Sequence, residues 1–210
     1  MLPDTEERVV PAFVVGTTPY SWPWNGDLGP EATAVVVVAP TSDVRSSDRF
    51  AAQTILDNAM RVTDAVRAVG GTIIRVTTQP PLHGAVSTAQ WFSDLVADDE
   101  TTADGIDGFY GSALESLLRR HRIERIVLVG IGLETSVHST MRSANDRGYE
   151  CLLVIDACLA YDTGLIRPAV SMIEMSGGIF GAVGTAAHTI SAFTPGAFTP
   201  GVQPIEGTPQ

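Results

Sequence analysis

The chain has 210 residues, 44% of them apolar, which suits one α/β domain with a full hydrophobic core. Its net charge of −11 argues against nucleic acid and anionic membrane as partners, since both require clustered cations. All thirteen basic side chains are arginine, so any mechanism that needs an ammonium group or an amine base is excluded.

Residues 1–32 read as an irregular lead-in punctuated by prolines, whose aromatic cluster "PYSWPW" is expected to pack over the domain edge. The opening "MLPDTEERVV" is acidic and lacks the basic-then-apolar order of a signal peptide. No apolar run approaches a membrane span, and two cysteines, Cys151 and Cys158, suggest no disulfide framework. The expectation is a cytoplasmic protein with reduced thiols.

"TAVVVVAP" (33–40) is a continuous β-branched run, the pattern of a parallel strand buried on both faces. A helix follows over "SDRFAAQTILDNAMRVTDAVRAVGG", with Ser47 or Asp48 as cap and Gly70-Gly71 as stop. "TIIRVTT" (72–78) is a second strand, and 79–108 is polar and poorly periodic. A short helix, "GSALESLLRRHR", leads to a third strand over 123–132 and then to a helix over 136–147 stopped by Gly148. A fourth strand at 149–157, a helix in "GLIRPAVSMIEMSGG", a short strand in "IFGAVGT" and the helix "AAHTISAF" complete the pattern.

Strands alternating with helices predict a three-layer α/β/α fold with a mostly parallel, doubly wound sheet of five to six strands over 33–193. Residues 194–210, with a tandem AFTPG unit, read as an extended Pro/Gly-rich tail. In such sheets ligands bind beyond the carboxyl ends of the strands. Those ends are expected at Ala39–Asp43, Thr77–Gln79, Gly130–Ser136 and Asp156–Tyr161.

The stretches "STMRSANDRGYECLLVIDACLAYD" (139–162) and "SMIEMSGGIFGAVGT" (171–185) carry a resemblance to the isochorismatase-like cysteine hydrolase superfamily. "PYSWPWNGDLGPEATAVVV" and "GFYGSALESLLRRHRIERIVLVGI" extend it over about residues 19–193, with biuret- and ureidoacrylate-type amidohydrolases as the nearest subgroup. The resemblance implies an Asp-Lys-Cys triad, in which the aspartate activates a cysteine that attacks an amide carbon and the lysine supports the charge. Here the aspartate position is Ala39, the lysine position Ala103 (Asp104 if the register slips by one) and the cysteine position Ser136. It also implies a non-proline cis peptide at Ile131-Gly132, able to point amides at an anion. The loop after the second strand is short for the subgroup.

The chemical consequence of such a loss is large. A thiol near pKa 8.5 is readily made a thiolate at a helix N-terminus, whereas a serine hydroxyl needs a dedicated base within reach. Amide hydrolysis by the family route is therefore not expected.

Several residues remain as candidates. Ser136 stands as a nucleophile or as a helix-capping hydroxyl. Glu134 and Asp43 are candidate acids or bases, each weighed against a solvated surface carboxylate. Trp24, Trp91, Phe109 and Tyr110 are candidate pocket walls, and Asp107 a carboxylate that would favour a cationic ligand. Cys158 is read as a buried inert thiol, and His138 as structural. His83, His121, His138 and His188 are scattered, and no dinucleotide fingerprint follows the first strand, so neither metal nor cofactor is expected.

Three functions follow. The intact frame places first a repurposed small-molecule enzyme catalysing a non-hydrolytic elimination, isomerisation or cyclisation. A non-catalytic pseudoenzyme that binds a ligand or stabilises an active paralogue comes second, and a weak hydrolase using Ser136 third. The resemblance implies a homo-oligomer, dimer or tetramer, or a mixed oligomer with that paralogue.

Overall fold

The computed structural model describes residues 12–41, 49–79, 92 and 94–194. The β-branched run forms β1 (Thr33–Pro40), buried along nearly its whole length. It is followed by α1 (Arg49–Ala68), β2 (Thr72–Thr78), β3 (Asp99–Thr102), α2 (Leu114–Arg120) and β4 (Arg125–Ile131). A π-helical turn (Leu133–Val137) leads into α3 (His138–Asp146). Then come β5 (Glu150–Leu159), α4 (Ile166–Glu174), β6 (Ala182–Gly184) and α5 (Ala186–Ala192).

All six strands are parallel, in the order β3-β2-β1-β4-β5-β6. Side chains alternate across a strand, so the sheet feeds two separate cores. Val35, Val37 and Ile131 face the core shared with α1 and α5. Val36, Val38, Ile74 and Val76 face the core shared with α2, α3 and α4. The three-layer α/β architecture read from the strand–helix alternation is the one observed.

One strand escaped the sequence pattern. β3 is the short exposed run Asp-Glu-Thr-Thr, paired only to β2 at the sheet edge. Its side chains bury almost nothing, so no apolar alternation announces it. The lead-in packs at the opposite edge: Trp22 is fully buried, and Thr18 bridges antiparallel to Val183 of β6. Asp43, Ser47, Asp48, His83, Trp91 and the tandem AFTPG tail lie outside the described residues.

The strand order reverses direction between β1 and β4. At such a switch point, beyond the carboxyl ends of the strands, α/β sheets of this winding bind ligands.

Candidate functional site

Two glycines shape the turn that follows β4, each at a place where a side chain would be strained. Gly130 pairs with Val38 near the end of β1, and a Cβ there would stand 2.1 Å from the Val38 carbonyl oxygen. Gly132 has left-handed backbone angles (φ 84°), and a Cβ on it would meet Thr135 Oγ1 at 2.8 Å and Tyr161 Cε2 at 2.9 Å. Together they bring β4 tight against β1 and start the π-helical turn that carries Ser136.

Ser136 is fully buried. Its hydroxyl accepts a hydrogen bond from Thr78 Oγ1 at 3.0 Å, itself fully buried at the end of β2. Its carbonyl accepts from Thr140 Oγ1 at 2.7 Å, and the same Thr140 oxygen accepts from the Gly108 amide at 2.9 Å. The turn is thus tied to β2, to α3 and to the segment before α2. Ser136 does not cap α3, which begins at His138, so the capping role expected for it is corrected. The reason is the π-helical turn, which absorbs residues 133–137 before the α-helix starts.

The expected cis peptide is also corrected. Among the described residues the cis bonds are Thr18-Pro19 and Trp22-Pro23, and Ile131-Gly132 is trans. The turn's amides are largely committed internally: Thr135 N and Val137 N both donate to Gly132 O, at 3.0 and 2.9 Å. Ile131 is buried in the α1/α5 core.

Ala39, at the expected aspartate position, packs on the α1/α5 core, and the strand residue in register with Thr78 is Pro40. Ala103 is fully buried in the other core, its amide donating to Thr77 O and its carbonyl accepting from Gln79 Nε2. Asp104 is exposed. Glu134 is half-buried, and its carboxylate accepts from the Tyr161 and Asp162 amides at 3.2 and 2.8 Å. It therefore latches the turn to the end of β5.

The described aromatic candidates, Trp24, Phe109 and Tyr110, do not gather in one place. Trp24 is 74% exposed, and its amide donates to Glu150 at the amino end of β5, the opposite end of the sheet from Ser136. Phe109 stacks on Tyr149 with the Arg147 guanidinium 4.5 Å from its ring centre, again near the start of β5. Tyr110 is largely exposed. Asp107 is occupied by the Phe109 amide at 2.9 Å and by Ser143 Oγ at 2.5 Å, which anchors the loop to α3. Phe109 and Asp107 thus have local partners, and no described contact links any of these side chains to Ser136.

Two further buried residues stand at or next to the turn, Thr78 and His138. Thr78 was legible as an inward position of β2, because it follows Ile74 and Val76 at even spacing, but nothing local announced its bond to Ser136. His138 is buried, with Nδ1 accepting from Arg142 Nε at 3.4 Å and Nε2 without a partner. Burial and then the Arg142 charge push its pKa below the usual histidine value. Cys158 is buried and its thiol pKa is driven far up, chiefly by desolvation, as befits an inert cysteine. Among the described residues no group of three or more His, Cys, Asp or Glu side chains gathers to hold a metal ion. No described helix is long and apolar enough to cross a membrane.

Residues 33–188 match the isochorismatase domain family, a span covering most of the chain. The chain belongs to the isochorismatase family. A curated relative, the uncharacterized isochorismatase family protein YecD of Escherichia coli O157:H7, is 46% identical over 52 residues, 25% of this chain and 28% of that protein. The aligned stretch thus spans just over a quarter of that relative. An isochorismatase family protein from Burkholderia thailandensis superposes with a TM-score of 0.65 at 25% identity, covering 78% of this chain and 96% of the other. A cysteine hydrolase from Pseudomonas syringae pv. phaseolicola 1448A gives the same TM-score at 18% identity, covering 79% and 94%. The nicotinamidase of Staphylococcus aureus follows at 0.57 and 20%, covering 73% and 99%. The last two likenesses speak to the fold alone.

Proposed function

We propose that this chain is a non-catalytic member of the isochorismatase family, a pseudoenzyme that acts by binding rather than by hydrolysis. The carrying observation is the buried Ser136–Thr78 hydroxyl pair at the carboxyl end of the sheet. A hydroxyl becomes a nucleophile only with a base to take its proton, and Thr78 is no base. The other positions matched to the family triad hold the methyl groups of Ala39 and Ala103. With no lysine in the sequence, the ammonium has no substitute. Glu134, the nearest carboxylate in sequence, is held by two backbone amides. The subgroup likeness of the lead-in and of residues 139–162 favours small ureido compounds as the ligand class.

The test is Ser136→Cys, which restores the family's sulfur without its partners. Cys151 and Cys158 are buried, so the folded protein supplies little background. The new thiol is expected to alkylate with iodoacetamide at least about 100-fold more slowly than an activated family thiolate at pH 7. Fast alkylation persisting below pH 7 would show a hidden base or cation and defeat the proposal. So would amide turnover by the natural chain that Ser136→Ala abolishes.

A second reading, a repurposed enzyme for elimination, isomerisation or cyclisation, draws support from His138. Its buried, uncharged imidazole leaves Nε2 unpartnered two residues after Ser136. Turnover of any small molecule that is lost in His138→Phe but kept in Ser136→Ala would favour it.

A further inference from the structure

Helix α2 stops on a left-handed residue that is not glycine. In its closing turn Ile123 N donates to Leu118 O and Arg122 N to Arg119 O, both at 3.0 Å. A helix that closes with this pair of bonds usually has glycine at the left-handed position. Arg122 occupies it at φ 56°, the one non-glycine residue with positive φ among the described residues. A side chain strains the backbone there, and strain of this kind gathers where a site needs a particular group. The fold makes no visible use of the group: Arg122 is exposed, and its guanidinium bonds to no described residue.

Arg122 lines a cleft of about 420 Å3 at the amino ends of β4 and β5, together with Arg119, Glu124, Arg147 and Tyr149. That volume lies within the range of small-molecule sites. We propose that the cleft binds a small phosphorylated molecule, its phosphate held by the guanidiniums of Arg119, Arg122 and Arg147 and by the Tyr149 hydroxyl. The site stands at the opposite end of the sheet from Ser136, so the proposal is independent of what the Ser136 turn does.

Charge supports an anion. The chain as a whole is at −11, yet four of its thirteen arginines fall within residues 119–125, where Glu124 is the single acid. A local positive field in an acidic protein concentrates anions at that place. Nor do the neighbouring carboxylates cancel it. Arg119 and Arg147 share one carboxylate, that of Glu115, at 2.7 and 2.8 Å, so one of the two charges is unanswered. Glu124 lies 3.6 Å from Arg125, which faces away from the cleft toward Asp27.

The donors select phosphate. Tyr149 is 6% exposed, and its hydroxyl bonds to no described residue. Burial and then the Glu115 charge hold its pKa above the usual phenol value, so it keeps its proton and can donate. Guanidiniums present rigid forks that match phosphate oxygens, and a phosphate dianion offers three oxygens to three arginines where a carboxylate offers two. Arginines also gather at helix ends to answer the last carbonyls, and Arg147 does so, donating from Nη1 to Ser143 O at 2.7 Å. Arg122 has no such bond, and that sets it apart as the residue held for a ligand.

The test is a titration of the full chain with inorganic phosphate at constant ionic strength, followed in amide proton–nitrogen spectra. Saturable shifts are expected at residues 119–124 and 147–149, with Kd on the order of 1 mM. Succinate is expected to bind at least about 10-fold more weakly. Arg122→Gly removes the guanidinium and relieves the left-handed strain together, so it should weaken phosphate binding at least about 10-fold while raising the midpoint of thermal unfolding. That rise excludes a misfolded variant as the cause of lost binding. Phosphate shifts absent from the cleft at about 20 mM would overturn the proposal. So would binding that Arg122→Gly leaves intact, or succinate bound as tightly as phosphate.

Discussion

The two ends of the sheet differ in what their side chains are for. At the carboxyl ends of β1, β2 and β4 stand Pro40, Thr78, Gly130 and, from the following turn, Ser136, without a charge among them. At the amino ends the charges crowd together. Arg125 is buried with Asp27 at 3.2 Å and Glu124 at 3.6 Å, while Glu115 receives both Arg119 at 2.7 Å and Arg147 at 2.8 Å. Arg119, Arg122, Arg147 and Tyr149 line a cleft there of about 420 Å3. Among the described residues, the ones ending β1, β2 and β4 are uncharged, and the ion pairs gather at the other end. A well-formed turn is therefore evidence of the fold, since glycines and packing hold it whether or not a charge sits within it.

Breaking that backbone should have the largest effect. Gly130→Ala forces a Cβ against the Val38 carbonyl at 2.1 Å and is expected to cost about 3 kcal/mol or more, lowering the midpoint of thermal unfolding by roughly 6–12 °C. An unchanged midpoint would mean that β1 and β4 are not so closely apposed.

Next comes the hydroxyl pair. Thr78→Val leaves the Ser136 oxygen buried without its donor, at a cost of about 1–3 kcal/mol in denaturant unfolding. Adding Ser136→Ala should return part of the loss, because a methyl group needs no partner. Strict additivity in this double-mutant cycle would deny the bond.

His138 adds a pH dependence. An unfolded histidine titrates near pH 6.5, and burial and Arg142 hold this one lower when folded. Between those two values the unfolded chain binds the extra proton. Stability is therefore full above about pH 6.5 and falls as the pH drops toward the folded value. His138→Phe should flatten that slope in unfolding curves taken between pH 7 and 5. A slope that survives the substitution would place its source elsewhere.

The smallest effect belongs to the amino end. Arg119→Gln removes an exposed i,i+4 partner of Glu115 and should cost no more than about 0.5 kcal/mol, with 0.5 M salt erasing the difference. A loss above about 1 kcal/mol would show that the ion pairs are structural after all.

Most of the fold was legible because its signals are local. The β-branched run of β1, the apolar spacing of α1 and the glycines after α1, α3 and α4 identify strands and helices without reference to neighbours. β3 was not legible, because an exposed edge strand of Asp-Glu-Thr-Thr buries no pattern. The site was legible only as a place. The carboxyl ends of the strands marked where to look, and the neighbours of each residue there had to be seen. Phe109, Asp107 and Glu134 all looked available in one dimension and were claimed in three by Tyr149, Ser143 and the Tyr161–Asp162 amides.

The chain by itself determined the α/β alternation, the parallel winding and the absence of any lysine, since composition and periodicity need no partner to be read. Tertiary structure alone decided that Ser136 meets Thr78, that His138 is buried without a second hydrogen bond, and that Arg122 and Arg147 line one cleft. Those facts depend on contacts between segments far apart in sequence, and a side chain's chemistry is set by whichever group the fold places beside it.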